Sequence, residues 1–281
     1  MLESLISSAY VGNYDFWAVP LALPTPLVKA LLPHPTSGSP LASSSSSSSQ
    51  LSLLEPQEVH TASPRVPDPG EGHSWVVLEA GKQVRTGVAY VPFGRSTFHE
   101  AKLEVPFLRH AQQSSSSSST TNPTPLTLKS SLLFSSRLMR FSSTHLTGLR
   151  SHHAVCIETP DSYEAMDWMT IRVDGEVDVP QARRWSEEAV RSVVEGYWVG
   201  ENTGHNATKF TMTSLSPPRP LPQLRVRLNL PAFTQLPLEQ VKALAADAGL
   251  AIADNGWVEL DAAGFALSEE THMQVKALSS L

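Results

Sequence analysis

Cysteine is almost absent, with Cys156 alone in 281 residues. That excludes a disulfide framework and a cysteine-ligated zinc site. A basic excess is lacking too: 21 Lys+Arg stand against 27 Asp+Glu, for a net charge of -6. Broad binding to a phosphate backbone is therefore not expected. No apolar run approaches the roughly 20 residues of a membrane helix. The first ten residues carry no basic stretch of the kind that opens a secretory signal, and Asn206-Ala-Thr208 is then an accidental match to a glycosylation site. The expected protein is soluble and cytoplasmic.

Charge is sparse at 17%, but what replaces it is serine rather than aliphatic residues. Homopolymer runs at 43–49 and 114–119 dilute every other percentage. The stretches 37–72 and 111–125 that hold them are read as low-complexity, disordered insertions within one domain spanning 1–281. They show no sustained periodicity and too little apolar surface to offset their ordering entropy.

Strand patterns dominate the rest. Residues 73–79 are apolar with β-branched enrichment, and 87–91 form a second candidate ended by Pro92. Residues 98–105 alternate, with Phe98, Glu100, Lys102 and Glu104 on one face and Ala101, Leu103 and Val105 on the other. Further candidates are 131–140, 168–179, 197–199, 210–215, 224–230 and 257–260. Helices are few. Thr25-Pro26 opens a short one, 184–195 carries Glu187 and Glu188 at the favourable end of the dipole, and 237–248 runs from Pro237 to a stop at Gly249. Many short strands and few helices indicate a mainly-β (α+β) fold with a closed or highly curved sheet.

Three blocks, taken in order, carry a family resemblance. The first is Tyr14-Asp-Phe-Trp17 followed by the Pro26 to Pro33 element. The second is Val76-Val-Leu-Glu79 followed by Phe98-His-Glu100 and Val105-Pro106. The third is Pro231-Ala-Phe233, Leu236-Pro-Leu238 and Ile252-Ala-Asp254. From about residue 14 to about residue 260 this order resembles the acetoacetate decarboxylase family. The resemblance implies a compact β-barrel whose interior pocket receives a small carboxylate or keto compound.

It also implies a lysine nucleophile from a Lys-Lys pair, an amine kept unprotonated by an apolar pocket and a cationic neighbour. Here that pair falls on Ser151-His152, and no lysine lies between Lys129 and Lys209. The family's N-terminal arginine has no counterpart, since Asn13 or Tyr14 stands there. The two pocket carboxylates do have counterparts, Glu79 and Glu100. Decarboxylation through a Schiff base by the family route is therefore not expected.

What remains is acid–base chemistry. Glu79, Glu100 and His152 are the candidate catalytic groups; Arg150, His145 and Lys102 are candidates for holding substrate. Lys102, two residues from Glu100 on the same face, is also a candidate relocated amine, although Glu100 and Glu104 flank it and favour its charged form. Each has a plainer reading. Glu79 can point outward at a strand end, Glu100 can sit on a solvated face, and Ser151-His-His153 can be an exposed turn. The six tryptophans read as core, and Cys156 as a small buried residue.

The sequence thus points to a keto-acid or polyketide-like substrate handled by decarboxylation, dehydration, isomerisation or cyclisation. The alternative is a catalytically inactive barrel that binds a small molecule. No cofactor and no metal are expected, because no HxH or HExxH spacing occurs. The partner expected is a small-molecule substrate or ligand, with homo-oligomer formation left open and neither nucleic acid nor membrane involved.

Overall fold

A computed structural model of the chain describes residues 10–33, 51–88, 95–111, 113, 124–146, 149–200, 206–278 and 281. Its framework is a mixed sheet whose strands close in a ring. Strand β1 (Tyr10–Pro24) pairs with β3 (His73–Val88), β3 with β4 (Ser96–His110), and β4 with β5 (Leu126–Phe134). Then follow β10 (Tyr197–Val199), β11 (Asn206–Ser214) and β13 (Trp257–Ala277), which pairs back onto β1. The short β2 (Leu51–Leu53) joins β4, and β6 (Ser151–His153) joins β5.

The first half of β13 leaves the ring. It pairs with β12 (Arg219–Asn229) and carries the sheet onward through β9 (Met169–Val173), β8 (Ser162–Ala165) and β7 (Cys156–Thr159). This extension folds over the outside of the ring. The main apolar core lies between them, with Leu21, Leu78, Leu103, Leu128 and Leu133 from the ring against Tyr163, Ile171 and Val226. Helices α1 (Thr25–Ala30) and α6 (Leu238–Ala246) complete that core through Leu27, Val28, Val241 and Ala245, and α5 (Leu230–Thr234) adds Phe233.

The inside of the ring is a second, separate interior. Tyr14, Phe16, Ala18 and Val77 pack there against Trp185, Val190 and Val193 of the α4 region (α4, Glu187–Val194). Phe98, Leu132, Phe134 and Trp198 pack against Met139 of α3 (Arg137–Leu146). Gly81 lets β1 lie this close to β3, because a Cβ there would stand 2.0 Å from the Asp15 carbonyl oxygen.

The expected closed, mainly-β architecture holds, but several boundaries move. The two candidates 73–79 and 87–91 are parts of one strand, β3, which ends at Val88. Strand β4 runs past Pro106 to His110, because a register shift between Val105 and Leu108 places the residue without an N–H off the ladder. Residues 131–140 do not form one strand: β5 stops at Phe134 and α3 begins at Arg137. The candidate 257–260 is only the start of the 21-residue β13.

The insertion 37–72 is also smaller than expected. Strand β2 pairs Leu53 with Leu108, and α2 (Pro56–Ala62) opens with a capping box between Glu55 and Glu58. Leu54 and Val66 are buried beside Trp75. Enough apolar side chains recur over 51–66 to hold this part down, which the serine content of the whole stretch had hidden. Residues 37–50, 112 and 114–123 of the two insertions lie outside the described residues. Cys156 is half-buried rather than buried.

Candidate functional site

Alternation along β4 sends Phe98, Glu100, Lys102 and Glu104 into the ring, and antiparallel register decides what each meets. Lys102 faces Glu79 of β3, and Glu104 faces Lys129 of β5. A register shift in β5 next to Ser130 resets its alternation, so that Lys129 and Leu132 both point inward although three residues separate them. The plainer readings of Glu79 and Glu100 are thereby replaced. Both are inside, at 1% and 6% exposure.

A charged ion in such a place is costly unless it is matched. The matching is dense. Lys102 Nζ donates to Glu79 Oε2 at 2.5 Å and lies 3.5 Å from Glu100 Oε1. Lys129 Nζ lies 3.7 Å from Glu104 Oε1. Glu100 Oε2 accepts from Gln83 Nε2 at 3.4 Å, and Gln83 Oε1 accepts from Thr86 Oγ1 at 3.0 Å. Aromatic rings wall the cluster. Tyr14 lies 4.8 Å from Lys102 Nζ; Trp198 and Phe210 lie 4.2 and 4.6 Å from Lys129 Nζ.

The two lysines titrate in opposite directions. Burial works against the Lys102 ammonium, but the charges of Glu79, Glu100 and Glu104 outweigh it and hold the group protonated far above the ordinary range. Lys129 has a weaker complement. Burial, followed by the positive charge of Lys102, lowers it to about 8. Glu104 moves up to about 8, through burial first and the Glu79 charge second. Burial, reinforced by Glu100 and Glu79, also pushes the Tyr14 phenol well above its usual value, and its hydroxyl has no hydrogen-bond partner among the described residues.

The remaining sequence candidates sit elsewhere. Ser151 of β6 pairs with Leu132, and His152 with Leu133, which belongs to the main core. The His152 ring rests on Trp168 at 4.6 Å. Burial and the nearby Arg150 and Arg140 lower its pKa to about 4. Arg150 donates to the Ser130 carbonyl, Ser131 Oγ and the Phe233 carbonyl at 2.7, 2.9 and 3.0 Å, tying β5 to α5. His145 belongs to α3, and its side chain lies outside the described residues. The geometry therefore gathers Glu79, Glu100 and Lys102 in one cluster and places His152 and Arg150 on the main-core side of β5.

Residues that the sequence candidates omitted complete the interior: Glu104, Lys129, Tyr14 and Glu269. Glu269 of β13 is fully buried and accepts from Arg191 Nη2 of α4 at 2.8 Å and from Ser214 Oγ at 3.0 Å. Its signal was slight, a carboxylate in a stretch without a clear strand pattern. Lys129 had none, because the register shift next to Ser130 breaks the alternation of β5 around it. A groove of about 480 Å³ opens beside α4, lined by Phe107, Thr127, Arg191, Tyr197 and Lys209 among others.

No family model matches the chain, and no curated protein matches it by sequence. Solved structures do match in shape. An acetoacetate decarboxylase from Legionella pneumophila subsp. pneumophila str. Philadelphia 1 is 15% identical, with 96% of this chain and 88% of that one covered and a TM-score of 0.49. An acetoacetate decarboxylase-like enzyme from Sphingomonas wittichii RW1 is 10% identical over 97% and 95%, at 0.47. The enduracididine biosynthesis enzyme MppR, complexed with pyruvate, is 10% identical over 96% and 90%, at 0.46. Neighbours across nearly the whole chain thus include members of the family that the three sequence blocks resemble, at low identity.

Proposed function

We propose that this chain is an acetoacetate-decarboxylase-like barrel that binds a small keto acid, or a polyketide-like carbonyl compound, and moves a proton at the carbon beside the carbonyl. The observation that carries this reading is the buried Glu79–Lys102–Glu100 cluster inside the ring. Lys102 serves there as a fixed cation opposite a carboxylate or an enolate, because its amine stays protonated and is no nucleophile. Glu100 is the proton acceptor of the cluster, held less tightly than Glu79. Proton transfer at that carbon opens isomerisation and cyclisation routes that pass through an enol, and it closes decarboxylation, where the enolate left by CO₂ takes a proton.

The test uses pyruvate and acetoacetate in D₂O with proton NMR. The wild type is expected to speed exchange of the protons beside the carbonyl, and Glu100→Gln to slow it about 10²-fold or more. Borohydride added with either keto acid should leave Lys102 unmodified. A folded wild type that exchanges no protons and releases no CO₂ refutes the enzyme reading. The two apolar clusters that enclose the charges favour a second reading, a barrel that only binds its ligand. Saturable pyruvate binding without exchange would select it.

A further inference from the structure

A second cavity, of about 330 Å³, opens on the outer wall of the ring, where Trp17 of the main core reaches the surface. Its size falls in the usual range of small-ligand pockets, roughly 300–1,000 Å³. Strand register explains its position. Trp17 pairs with Ala266, and Ala266 with Arg219, so the three side chains form one row on one face of β1, β13 and β12. Ala266 is the small member between two long ones, which leaves the hollow. In the next row Asp15 pairs with Ser268, and Ser268 Oγ donates to Asp15 Oδ1. Glu158 of β7 reaches the cavity from the extension. The side chains of Phe16 and Leu267, between these rows, pack inside the ring. The sheet therefore separates this cavity from the Glu79–Lys102–Glu100 cluster.

Charges of both signs line the cavity without neutralising one another. Among the described residues no ion pair joins Arg219 to Asp15 or to Glu158, and Glu158 instead meets His99 Nε2 at 3.2 Å. On a strand lattice with roughly 4.8 Å between strands and 7 Å per repeat, Arg219 and Asp15 stand about 12 Å apart at the backbone. A guanidinium from one side and a carboxylate from the other narrow that distance to the span of one small zwitterion.

We infer that this cavity binds an α-amino acid with an apolar side chain. Arg219 takes the carboxylate, Asp15 and Glu158 take the ammonium, and the side chain lies over Ala266 against Trp17. A ligand with a carboxylate alone would face two acids, and an amine alone would leave the guanidinium unmatched. A ligand carrying both charges answers the whole lining. Bound there, it bridges Asp15 of the ring to Glu158 and Arg219 of the extension. The inference is independent of the keto-acid reading, because none of these side chains lies inside the ring.

The experiment is titration calorimetry of the full chain with L-phenylalanine, with 3-phenylpropionate, which lacks the ammonium, and with phenethylamine, which lacks the carboxylate. Wild type, Arg219→Gln and Ala266→Leu are compared, each checked for fold by circular dichroism. Saturable 1:1 binding of phenylalanine to the wild type is expected, with each analogue weaker by about 10-fold or more. Arg219→Gln should weaken phenylalanine by a similar factor and leave phenethylamine unchanged. Ala266→Leu fills the hollow and should abolish binding. Arg219 is exposed, so its replacement tests the site without disturbing the core. No saturable binding by the wild type overturns the inference. So does phenylpropionate binding as tightly as phenylalanine, or phenylalanine binding unchanged in Arg219→Gln. Each of these outcomes leaves the keto-acid reading untouched, since that reading is tested by pyruvate proton exchange.

Discussion

Two halves of one interior meet along β4 and behave differently. On the β3 side Lys102 sits between Glu79 and Glu100, and every charge has a close partner. On the β5 side Lys129 has one carboxylate at 3.7 Å and aromatic rings for the rest of its surroundings. Both lysines are nearly fully buried, at 2% and 4% exposure. Burial alone therefore does not set the state of an amine; the number and distance of the carboxylates around it do. The first half is a fixed ion cluster, the second a pair within reach of losing its charges.

Replacing Lys102 by Met should show this contrast most strongly. It leaves Glu79 and Glu100 uncompensated inside the ring, and denaturant unfolding should report a loss of about 3–5 kcal/mol. Lys129→Met should cost clearly less, because Glu104 can keep its proton and become neutral. Equal losses would erase the distinction.

A smaller effect lies in the pH dependence. Glu104 has its pKa raised from 4.5 to about 8, so the folded state keeps a proton that the unfolded chain releases above about 4.5. Its contribution to stability is full below about 4.5 and is lost as pH rises toward 8. Glu104→Gln should flatten that part of the stability profile, and an unchanged slope in urea titrations at several pH values would contradict it. The smallest effect is expected outside the ring. His152, lowered from 6.5 to about 4, refuses a proton that the unfolded chain accepts. Stability from this group is lost as pH falls from about 6.5 to 4, and His152→Leu should remove that loss.

The alternation of residues 98–105 made one half of this interior legible. It placed Glu100, Lys102 and Glu104 on one face, and the family resemblance added Glu79. The β5 half was not legible, because the register shift at Ser130 breaks period two where Lys129 enters. The run Leu132-Leu-Phe134 drew the strand estimate too far along the chain, into what is α3. Strand β13 was missed beyond Leu260 for a related reason. It serves the main core first and the ring later, so no single face stays apolar along its length, and Glu269 points into the ring. His152 and Arg150 show the converse limit. The resemblance put the family's Lys-Lys pair on Ser151-His152, just after Arg150, but one step along β6 turns His152 to the other side of the sheet.

The closing strand has a consequence for how the chain is made. Phe16 pairs with Leu267, so the ring is sealed by a segment that leaves the ribosome long after the strand it joins. Strands β3 and β4, adjacent in sequence, can pair long before that. Glu79 and Lys102 would then find each other while water still reaches them, when the ions are cheap to bring together. Drying comes afterwards, as β13 arrives, and it acts on charges that are already matched.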